Sequence, residues 1–271
     1  MKKNVLITGG SGFIGSHVVD ALIKNKYKVT ILDLNQPKRE DVKFIKGSIL
    51  DKSKVQSALK NINIIFHLAA VSDINKVKTI PIKTIETNVL GTTYLLEASR
   101  KANVKRFIYA SSYYSYGTAG NLYTTSKKTS ELIIENYKLL FGLDYTVLRY
   151  STVYGPRNRE ADAISIFVNR ALKNLNLTIH GSGQQKRNYL YVDDLTKGSM
   201  LALKDKTKNK IITLASKSNI KIIDLARIII KLTNSKSQIL FDKKNQRVDD
   251  FTSTHNYNNL GKNLYNWKPK Y

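Results

Sequence analysis

The sequence predicts an α/β protein with a doubly wound parallel sheet and a smaller C-terminal lobe. Strand and helix patterns alternate through the first half of the chain, and most of the strands are continuous apolar runs. A glycine-rich turn joins the first strand to the first helix. Repeated strand–helix–strand units with apolar strands indicate a parallel sheet that is covered on both faces. The 271 residues are enough for one large domain with a lobe attached.

Each predicted element rests on its own local pattern. Short apolar runs that end at turn residues predict strands, and apolar residues at helical spacing predict helices. Strands are predicted at residues 4–8, 27–33, 44–46, 62–68, 106–111, 145–150 and 188–192. Helices are predicted at residues 13–24, 53–59, 84–102, 126–141, 163–173, 193–203 and 222–232. Ser53 is expected to cap its helix, and Asp193 to begin its own.

Composition narrows the class of protein. The chain has no cysteine, which excludes disulfides, thiolate metal sites and cysteine nucleophiles and fits a reducing cytosol. No stretch approaches the about 18 apolar residues of a membrane span, so we expect a cytoplasmic protein without a membrane partner. The net charge of +25 is spread along the chain rather than gathered on one element. We therefore expect a lysine-rich surface that attracts a polyanionic small substrate, and no nucleic-acid partner.

The turn from Gly9 to Gly15 has the pattern and the context of a dinucleotide-binding loop. It lies between a predicted strand and a predicted helix, where glycines let backbone N–H groups approach a pyrophosphate at the helix N-terminus. Asp33 follows at the end of the second strand, where a carboxylate accepts hydrogen bonds from the adenosine ribose and repels a 2′-phosphate. This predicts a Rossmann-type domain that binds NAD. Lys38 and Arg39 lie close behind and leave NADP open, and a tight turn without a ligand is the alternative.

A serine, a tyrosine and a lysine form a candidate catalytic set. Tyr123 and Lys127 share one face of a helix, and the lysine charge favours the phenolate, as a general acid/base requires. Ser111 and Ser112 end the preceding strand, at the edge of the sheet where ligands bind. A Tyr–Lys pair alone is common on helix surfaces, so the prediction depends on the glycine loop and the serines occurring with it.

Several longer segments resemble the extended short-chain dehydrogenase/reductase family, in its nucleotide-sugar epimerase/dehydratase branch. The resemblance covers nearly the whole chain. The segments that carry it are TGGSGFIGS at 8–16, HLAA at 67–70, TNVLGT at 87–92, YASSYYSYG at 109–117, YTTSK at 123–127, LRYSTVYGPR at 148–157, GSGQQKRNYLYVDDL at 181–195 and LYNWKP at 264–269.

The resemblance implies an NAD-dependent 4-epimerase that oxidises C4 of a nucleoside-diphosphate sugar of the UDP-glucose or UDP-galactose type transiently. It makes Ser112, Tyr123 and Lys127 catalytic and places residues 67–70 along the dinucleotide. We expect His67 itself to be a buried strand-end histidine rather than a catalytic residue. The implied cofactor-binding residues are Gly9, Gly12, Phe13, Ile14, Gly15, Asp33, Ser48, Ile49, Leu68, Ala69, Ala70, Asn88, Ser111, Tyr123 and Lys127. The implied substrate-binding residues are Ser112, Thr152, Arg187 and Arg247, with an arginine suited to gripping the diphosphate.

Some positions depart from the family pattern. The family's 4,6-dehydratases follow the catalytic Ser/Thr with Asp–Glu, whereas this chain has Tyr113 and Tyr114, which argues against dehydration. Thr152 stands where the family has a substrate-contacting asparagine, and Ser48 replaces an aspartate near the adenine. A nucleotide-sugar 4-ketoreductase or dehydrogenase is the alternative enzyme, and a non-catalytic NAD(P)-binding sensor or scaffold is the alternative from another class.

The resemblance also suggests how the chain is divided and assembled. We expect residues 1–155 to form the NAD-binding domain, with elements near 188–214 returning to it. Residues 156–187 and 215–271 would form the smaller lobe that binds the nucleotide sugar. A homodimer is expected, with the helices predicted at 84–102 and 126–141 forming a four-helix interface.

Overall fold

The computed structural model describes residues 3–116, 121–158, 162–242 and 267–270. Strands are numbered here in chain order. They are β1 (Asn4–Thr8), β2 (Lys28–Asp33), β3 (Lys43–Lys46), β4 (Ile64–His67), β5 (Arg106–Ser112), β6 (Tyr145–Tyr150), β7 (Thr152–Tyr154), β8 (Leu177–His180), β9 (Lys186–Arg187), β10 (Tyr189–Tyr191), β11 (Lys210–Leu214), β12 (Ile220–Lys221) and β13 (Ile239–Asp242).

Helices are numbered in the same way. They are α1 (Phe13–Lys24), α2 (Lys52–Ala58), α3 (Ile74–Thr79), α4 (Pro81–Ile85), α5 (Gly91–Lys101), α6 (Leu122–Phe141), α7 (Ala163–Leu172), α8 (Val192–Met200) and α9 (Ile222–Leu232). A π-helical turn at Glu86–Leu90 joins α4 to α5, and short 3₁₀ turns lie at Tyr113–Tyr116, Leu201–Leu203 and Asp205–Thr207.

The central sheet has seven strands, in the order β3-β2-β1-β4-β5-β6-β11. Every neighbouring pair is parallel. The strand order reverses between β1 and β4, because the chain first builds outward to β3 and then returns to the other side of β1. This is the doubly wound Rossmann-type sheet that the alternating pattern predicts, and ligands of such sheets bind where the order reverses, beyond the carboxyl ends of the strands.

Both faces of the sheet are buried, which explains why its strands are continuous apolar runs. Val5 and Ile7 pack on one face in a cluster that includes residues of α1 and α8. Leu6 points to the other face, into a cluster that includes residues of α2, α5 and α6. Successive strand residues thus enter opposite cores, so a polar residue within β1 would be buried on either side.

A third apolar cluster lies in the second half of the chain. It joins α7, α9 and strand β8, with Phe167, Leu177 and Ile229 among its buried members. Strands β8 and β13 are parallel partners beside it. The chain also returns to the main sheet, because β11 extends it beyond β6, and residues 267–270 contact α8. There the indole of Trp267 donates to the backbone carbonyl of Asp194 at 3.1 Å.

Several predicted boundaries are wrong, each for a local reason. Asp51 caps α2 in place of Ser53, since its carboxylate accepts from the backbone N–H groups of residues 53 and 54. Helix α8 begins at Val192, one residue before Asp193. Helix α6 begins at Leu122 rather than at residue 126, because the Asn121 side chain accepts from the N–H of residue 124. The helix predicted at 84–102 is divided by the π-helical turn.

Within the part of the chain that the structure describes, no helix is long and apolar enough to cross a membrane. The same residues contain no group of three His, Cys, Asp or Glu side chains that could hold a metal ion.

Candidate active site

Three glycines give the loop after β1 its shape. Gly9 has φ +75, and a Cβ there would lie 2.7 Å from the backbone nitrogen of Ala69. A Cβ on Gly15 would lie 2.1 Å from the carbonyl oxygen of Gly9. A Cβ on Gly12 would meet only that same oxygen, at 3.3 Å. Gly9 therefore makes the turn and Gly15 lets α1 pack against it, while a Cβ on Gly12 would have this one tight contact and open space otherwise.

This open space fits the pyrophosphate of a dinucleotide. Gly12 immediately precedes α1, so a ligand beside it meets the positive end of the helix. A side chain at residue 12 would fill the position that a phosphate needs, which explains why the loop has glycine there. Phe13 and Ile14, the next two predicted cofactor residues, are the first residues of the helix.

Asp33 ends β2 beside the glycine loop and fits the ribose-binding role. Its carboxylate accepts from the backbone N–H of Ser11 and of Asn35, each at 3.0 Å, which fixes its orientation at the mouth of the loop. Arg39, a residue that could have bound a 2′-phosphate, is instead held by Asp20 at 2.8 Å and by Asp41 at 2.5 Å. These contacts favour NAD over NADP.

The segments after β3 and β4 complete this edge. The backbone nitrogen of Ala69 lies close to Thr8 Oγ1, at 3.4 Å, so residues 68–70 lie beside the glycine loop. The Ser48 hydroxyl accepts from the N–H of Leu50 at 3.1 Å. The side chain of Ile49 is buried in the core. Any contact of Ile49 with the adenine is therefore expected from its backbone.

Asn88 joins this edge to α6 from within the π-helical turn. Its side chain accepts from the N–H of Val71 at 2.7 Å and donates to the carbonyl of Val71 and to the hydroxyl of Ser126, each at 3.0 Å. Its own carbonyl accepts from the hydroxyls of Thr92 and Ser130, at 2.6 and 2.9 Å. Through these contacts one asparagine holds the loop after β4 against α6.

Ser112, Tyr123 and Lys127 meet at the same edge. The Ser112 side chain hydrogen-bonds to the phenol of Tyr123. One turn further along α6, the Lys127 ammonium lies 5.9 Å from the centre of the Tyr123 ring and donates to the carbonyl of Ala110 at 2.7 Å. The three groups have the arrangement in which a hydroxyl orients a substrate oxygen, a phenol exchanges its proton and a cation stabilises the phenolate.

Burial opposes charge on both members of the Tyr–Lys pair. Desolvation raises the pKa of Tyr123 to about 12, although the hydrogen bond from Ser112 favours the phenolate. Desolvation lowers the pKa of Lys127 to about 7, and the negative charge of Glu131 partly offsets this. The protein without cofactor therefore holds the phenol protonated at neutral pH, and a further positive charge is needed to bring Tyr123 toward the working range of a base.

His67 is a structural residue of this edge. Its Nδ1 lies 2.7 Å from the hydroxyl of Thr8 and its Nε2 lies 2.8 Å from that of Thr92. Thr92 donates its own proton to a backbone carbonyl, so it must accept from Nε2–H, and Nδ1 accepts from Thr8. Desolvation, with a contribution from the charge of Lys127, lowers the pKa of His67 to about 3. A neutral ring with both nitrogens bonded locks the ends of β1 and β4 to the helix above them.

Sequence reasoning missed a buried carboxylate in this site. Glu131 is 3% exposed and accepts from the hydroxyl of Ser111 and from the guanidinium of Arg149. The hydroxyl of Ser111, a predicted cofactor ligand, is thus directed toward Glu131. A glutamate four residues after Lys127 shares its helix face, which was the one available signal.

The predicted substrate residues lie on the C-terminal side of the site. The Thr152 hydroxyl is 3.3 Å from that of Tyr114, so Thr152 lies beside the segment that follows Ser112. Arg187 lies on β9 and donates to the carbonyl of Lys186 at 3.1 Å. Arg247 lies outside the described residues.

Comparison with known proteins agrees with this geometry. The NAD dependent epimerase/dehydratase family matches residues 5–215, which include the glycine loop, the Ser–Tyr–Lys set and β11. The chain belongs to this family. The protein is an enzyme and its cofactor is NAD, as the glycine loop and Asp33 indicate.

Similar members of the family differ in their reactions. A Methanocaldococcus jannaschii protein named "Putative UDP-glucose 4-epimerase" is 37% identical over 73% of this chain and 73% of its own length. The dTDP-D-glucose 4,6-dehydratase of Dictyostelium discoideum is 34% identical over 71% of this chain and 54% of its own length. A UDP-glucose 4-epimerase structure from Thermotoga maritima, with UDP-glucose, has a TM-score of 0.87 at 31% identity and covers 98% of this chain and 94% of that one. Family membership therefore establishes that the protein belongs with the nucleotide-sugar epimerases and dehydratases. Which of these reactions it catalyses has to be inferred from the residues of the site.

Proposed function

We propose that the protein is an NAD-dependent 4-epimerase of a nucleoside-diphosphate sugar, of the UDP-glucose or UDP-galactose type. One observation carries the proposal. The Ser112–Tyr123–Lys127 set is complete. Tyr113 and Tyr114, however, occupy the two positions at which the 4,6-dehydratases of the family have Asp–Glu. A phenol with its ordinary pKa near 10 is a poor replacement for a carboxylate in the removal of water. Oxidation and reduction at one carbon need only the set that is present.

Each side chain of the set has a separate role in the reaction. Tyr123 takes the proton of the C4 hydroxyl and later returns it to the same oxygen. Lys127, as an ammonium, stabilises the phenolate electrostatically, and the Ser112 hydroxyl orients the sugar oxygen. NAD, held by the glycine loop and Asp33, would supply a reversible hydride acceptor for C4 of the sugar, so that the hydride could return to the opposite face.

Epimerisation also requires that the sugar can turn while the nucleotide stays bound. We propose that the smaller lobe of residues 156–187 and 215–271 binds the nucleotide, with Arg187 and Arg247 gripping the diphosphate and Thr152 beside the sugar. Binding energy from the diphosphate then holds the substrate during the rotation, when the sugar itself makes few fixed contacts. The basic surface of the protein, with its net charge of +25, attracts such an anionic substrate.

The experiment tests the purified protein for bound NAD and then incubates it with UDP-, dTDP-, GDP- and CDP-sugars without added reductant. We expect one 4-epimer to accumulate to equilibrium with no net change in NADH, measured by chromatography and absorbance at the NADH band. Consumption of NAD(P)H in proportion to product would instead indicate a 4-ketoreductase. Absence of turnover with every sugar would favour a non-catalytic NAD(P)-binding sensor.

Tyr123→Phe tests the assigned base. Since general acid–base catalysis contributes about 10²–10⁴-fold, we expect kcat to fall by about that factor with KM for the sugar little changed. Tyr137→Phe is the matched control, because Tyr137 lies on the same helix but packs on Phe141, near its other end. Undiminished epimerisation by Tyr123→Phe would refute the mechanism.

We also propose that the protein is a homodimer. Large apolar side chains are exposed on both segments expected to form the interface. They are Ile85 and Leu90 within residues 84–102, and Leu132, Leu139 and Leu140 on α6. Such residues on adjacent helices form the apolar patch that a second copy would cover.

A further inference from the structure

A buried network of charges lies directly behind the catalytic lysine. The Glu131 carboxylate is held by Arg149 through two hydrogen bonds, from Nε at 3.0 Å and from a terminal nitrogen at 2.5 Å. The Ser111 hydroxyl donates to the same carboxylate and lies 3.3 Å from the hydroxyl of Ser115. Such a paired arrangement fixes the carboxylate more firmly than a single contact would.

The fold places these groups together from three separate elements. Ser111 on β5 and Arg149 on β6 are register partners, so they project to the same face of the sheet. Helix α6 covers that face, and its residues Lys127 and Glu131 lie one turn apart on the side that is buried. The carboxylate is therefore hydrogen-bonded to the guanidinium from β6 and shares the buried face of α6 with the ammonium of Lys127.

The surroundings of Lys127 make this carboxylate important. Around the ammonium are the rings of Tyr109 at 4.7 Å and Tyr123 at 5.9 Å, the Ala110 carbonyl, and the neutral His67. Glu131 is itself paired with Arg149, which carries a second positive charge. Desolvation lowers the pKa of Lys127 to about 7, and the charge of Glu131 acts in the opposite direction. The lysine is thus close to losing its proton at neutral pH.

We propose that Glu131 is a positioning residue that keeps Lys127 in its ammonium form, and that Arg149 limits the strength of this effect by neutralising part of the carboxylate charge. The role of the ammonium in turnover rests on the proposed function, but the coupling between the two side chains does not. A neutral Lys127 could still donate to the Ala110 carbonyl, yet it would no longer stabilise a phenolate on Tyr123.

Two substitutions should move Lys127 in opposite directions. Glu131→Gln removes the negative charge and leaves the Arg149 cation, so Lys127 should lose its proton at a lower pH. Arg149→Gln removes the cation and leaves the carboxylate, so Lys127 should hold its proton to higher pH. Glu131→Asp keeps the charge and is the conservative control. A purely structural ion pair predicts lower stability for both glutamine variants and no displacement of opposite sign.

The titration can be measured without any catalysis. In protein labelled with ¹³C-lysine, the Cε signal of Lys127 should titrate near neutrality, far from the exposed lysines, and its loss in Lys127→Met assigns it. We expect the midpoint to fall in Glu131→Gln, to rise in Arg149→Gln and to stay near that of the wild type in Glu131→Asp. Midpoints that stay together in all folded variants would overturn the proposal, and if Glu131→Gln does not fold, the rise in Arg149→Gln decides.

Kinetics then connect the titration to turnover. If the epimerase proposal holds, the alkaline limb of the plot of kcat against pH should move to lower pH in Glu131→Gln, together with the NMR midpoint. One pH unit above that midpoint, kcat of the variant should be about tenfold below its value at low pH, with KM unchanged. A shifted midpoint in a protein that epimerises no sugar would refute the proposed function and leave the coupling intact. An unshifted midpoint in an active enzyme would refute the coupling and leave the proposed function intact.

Discussion

Replacing Gly15 by alanine should destabilise the fold, whereas the same change at Gly12 should weaken NAD binding and leave stability nearly unchanged. The two residues are three positions apart in one loop, and the substituted group is the same methyl group. The difference follows from what each new Cβ would meet.

The magnitude at Gly15 comes from contacts with backbone atoms. Its Cβ would lie 2.1 Å from the Gly9 carbonyl oxygen and 2.9 Å from the Gly10 Cα, so the loop itself must shift. Overpacking costs about 1–3 kcal/mol and occasionally more, and the better helix propensity of alanine returns about 1 kcal/mol. With a contact this short the upper end of that cost applies, so we expect a net loss of about 2 kcal/mol, a fall in Tm of roughly 4–8 °C.

At Gly12 the backbone has φ −77 and ψ 177, an extended conformation that alanine adopts readily. The lost helix-capping preference and the reduced freedom of the unfolded chain are each under about 1 kcal/mol and opposite in sign. The methyl group would, however, occupy the space beside the N-terminus of α1. We expect the Kd for NAD to rise at least about tenfold, or about 1.4 kcal/mol.

Thermal unfolding without NAD measures the first effect, and calorimetric titration with NAD measures the second. Equal losses of Tm in Gly12→Ala and Gly15→Ala would refute the assignment of separate roles. So would wild-type NAD affinity in Gly12→Ala.

Three further predictions address the cofactor, the buried histidine and the assembly. Asp33→Asn should weaken NAD binding about tenfold and reduce the preference for NAD over NADP, since it removes the charge that repels a 2′-phosphate; parallel titrations with both cofactors would contradict this if the ratio of their Kd values stayed the same. Because the pKa of His67 is lowered to about 3 in the folded protein, the unfolded chain binds one more proton between about pH 6.5 and that value. The free energy of unfolding should therefore decrease as pH falls through this window, by up to about 1.4 kcal/mol per pH unit. Urea unfolding of His67→Asn at several pH values should show a smaller slope of this free energy against pH. A slope identical to that of the wild type would exclude His67 as the cause. Leu139, which is 81% exposed on α6, should be covered in a dimer, so Leu139→Glu should halve the mass measured by light scattering, and a monomeric wild type would refute the dimer.

The parts of the fold that the sequence predicts well are those that depend on local patterns. Continuous apolar runs and the glycine spacing are readable because a buried parallel strand and a pyrophosphate loop each impose composition at fixed positions. The ends of helices were harder to predict. Asp51 and Ser53, for example, are both good capping residues, and only the path of the backbone decides which of them caps the helix.

The missed features depend on contacts across the chain. The π-helical turn has no clear local signal, because it is stabilised by hydroxyls that reach the carbonyl of Asn88 from Thr92 and from Ser130 on another helix. The Glu131–Arg149 pair joins α6 to β6, and nothing in either segment alone indicates the other. Periodicity can place a residue on a buried face, but it cannot identify the partner that makes a charge tolerable there.

The pairing of β11 with β6 also has a consequence for the newly made chain. The sheet cannot be completed until residue 214 has left the ribosome, about 60 residues after the end of β6. At about 5–20 residues per second, the outer edge of β6 waits roughly 3–13 seconds without its neighbour. Such an edge is a template for pairing with other chains. The interval between β6 and its last neighbour is therefore a period of synthesis in which this edge of the sheet is open to pairing with other chains.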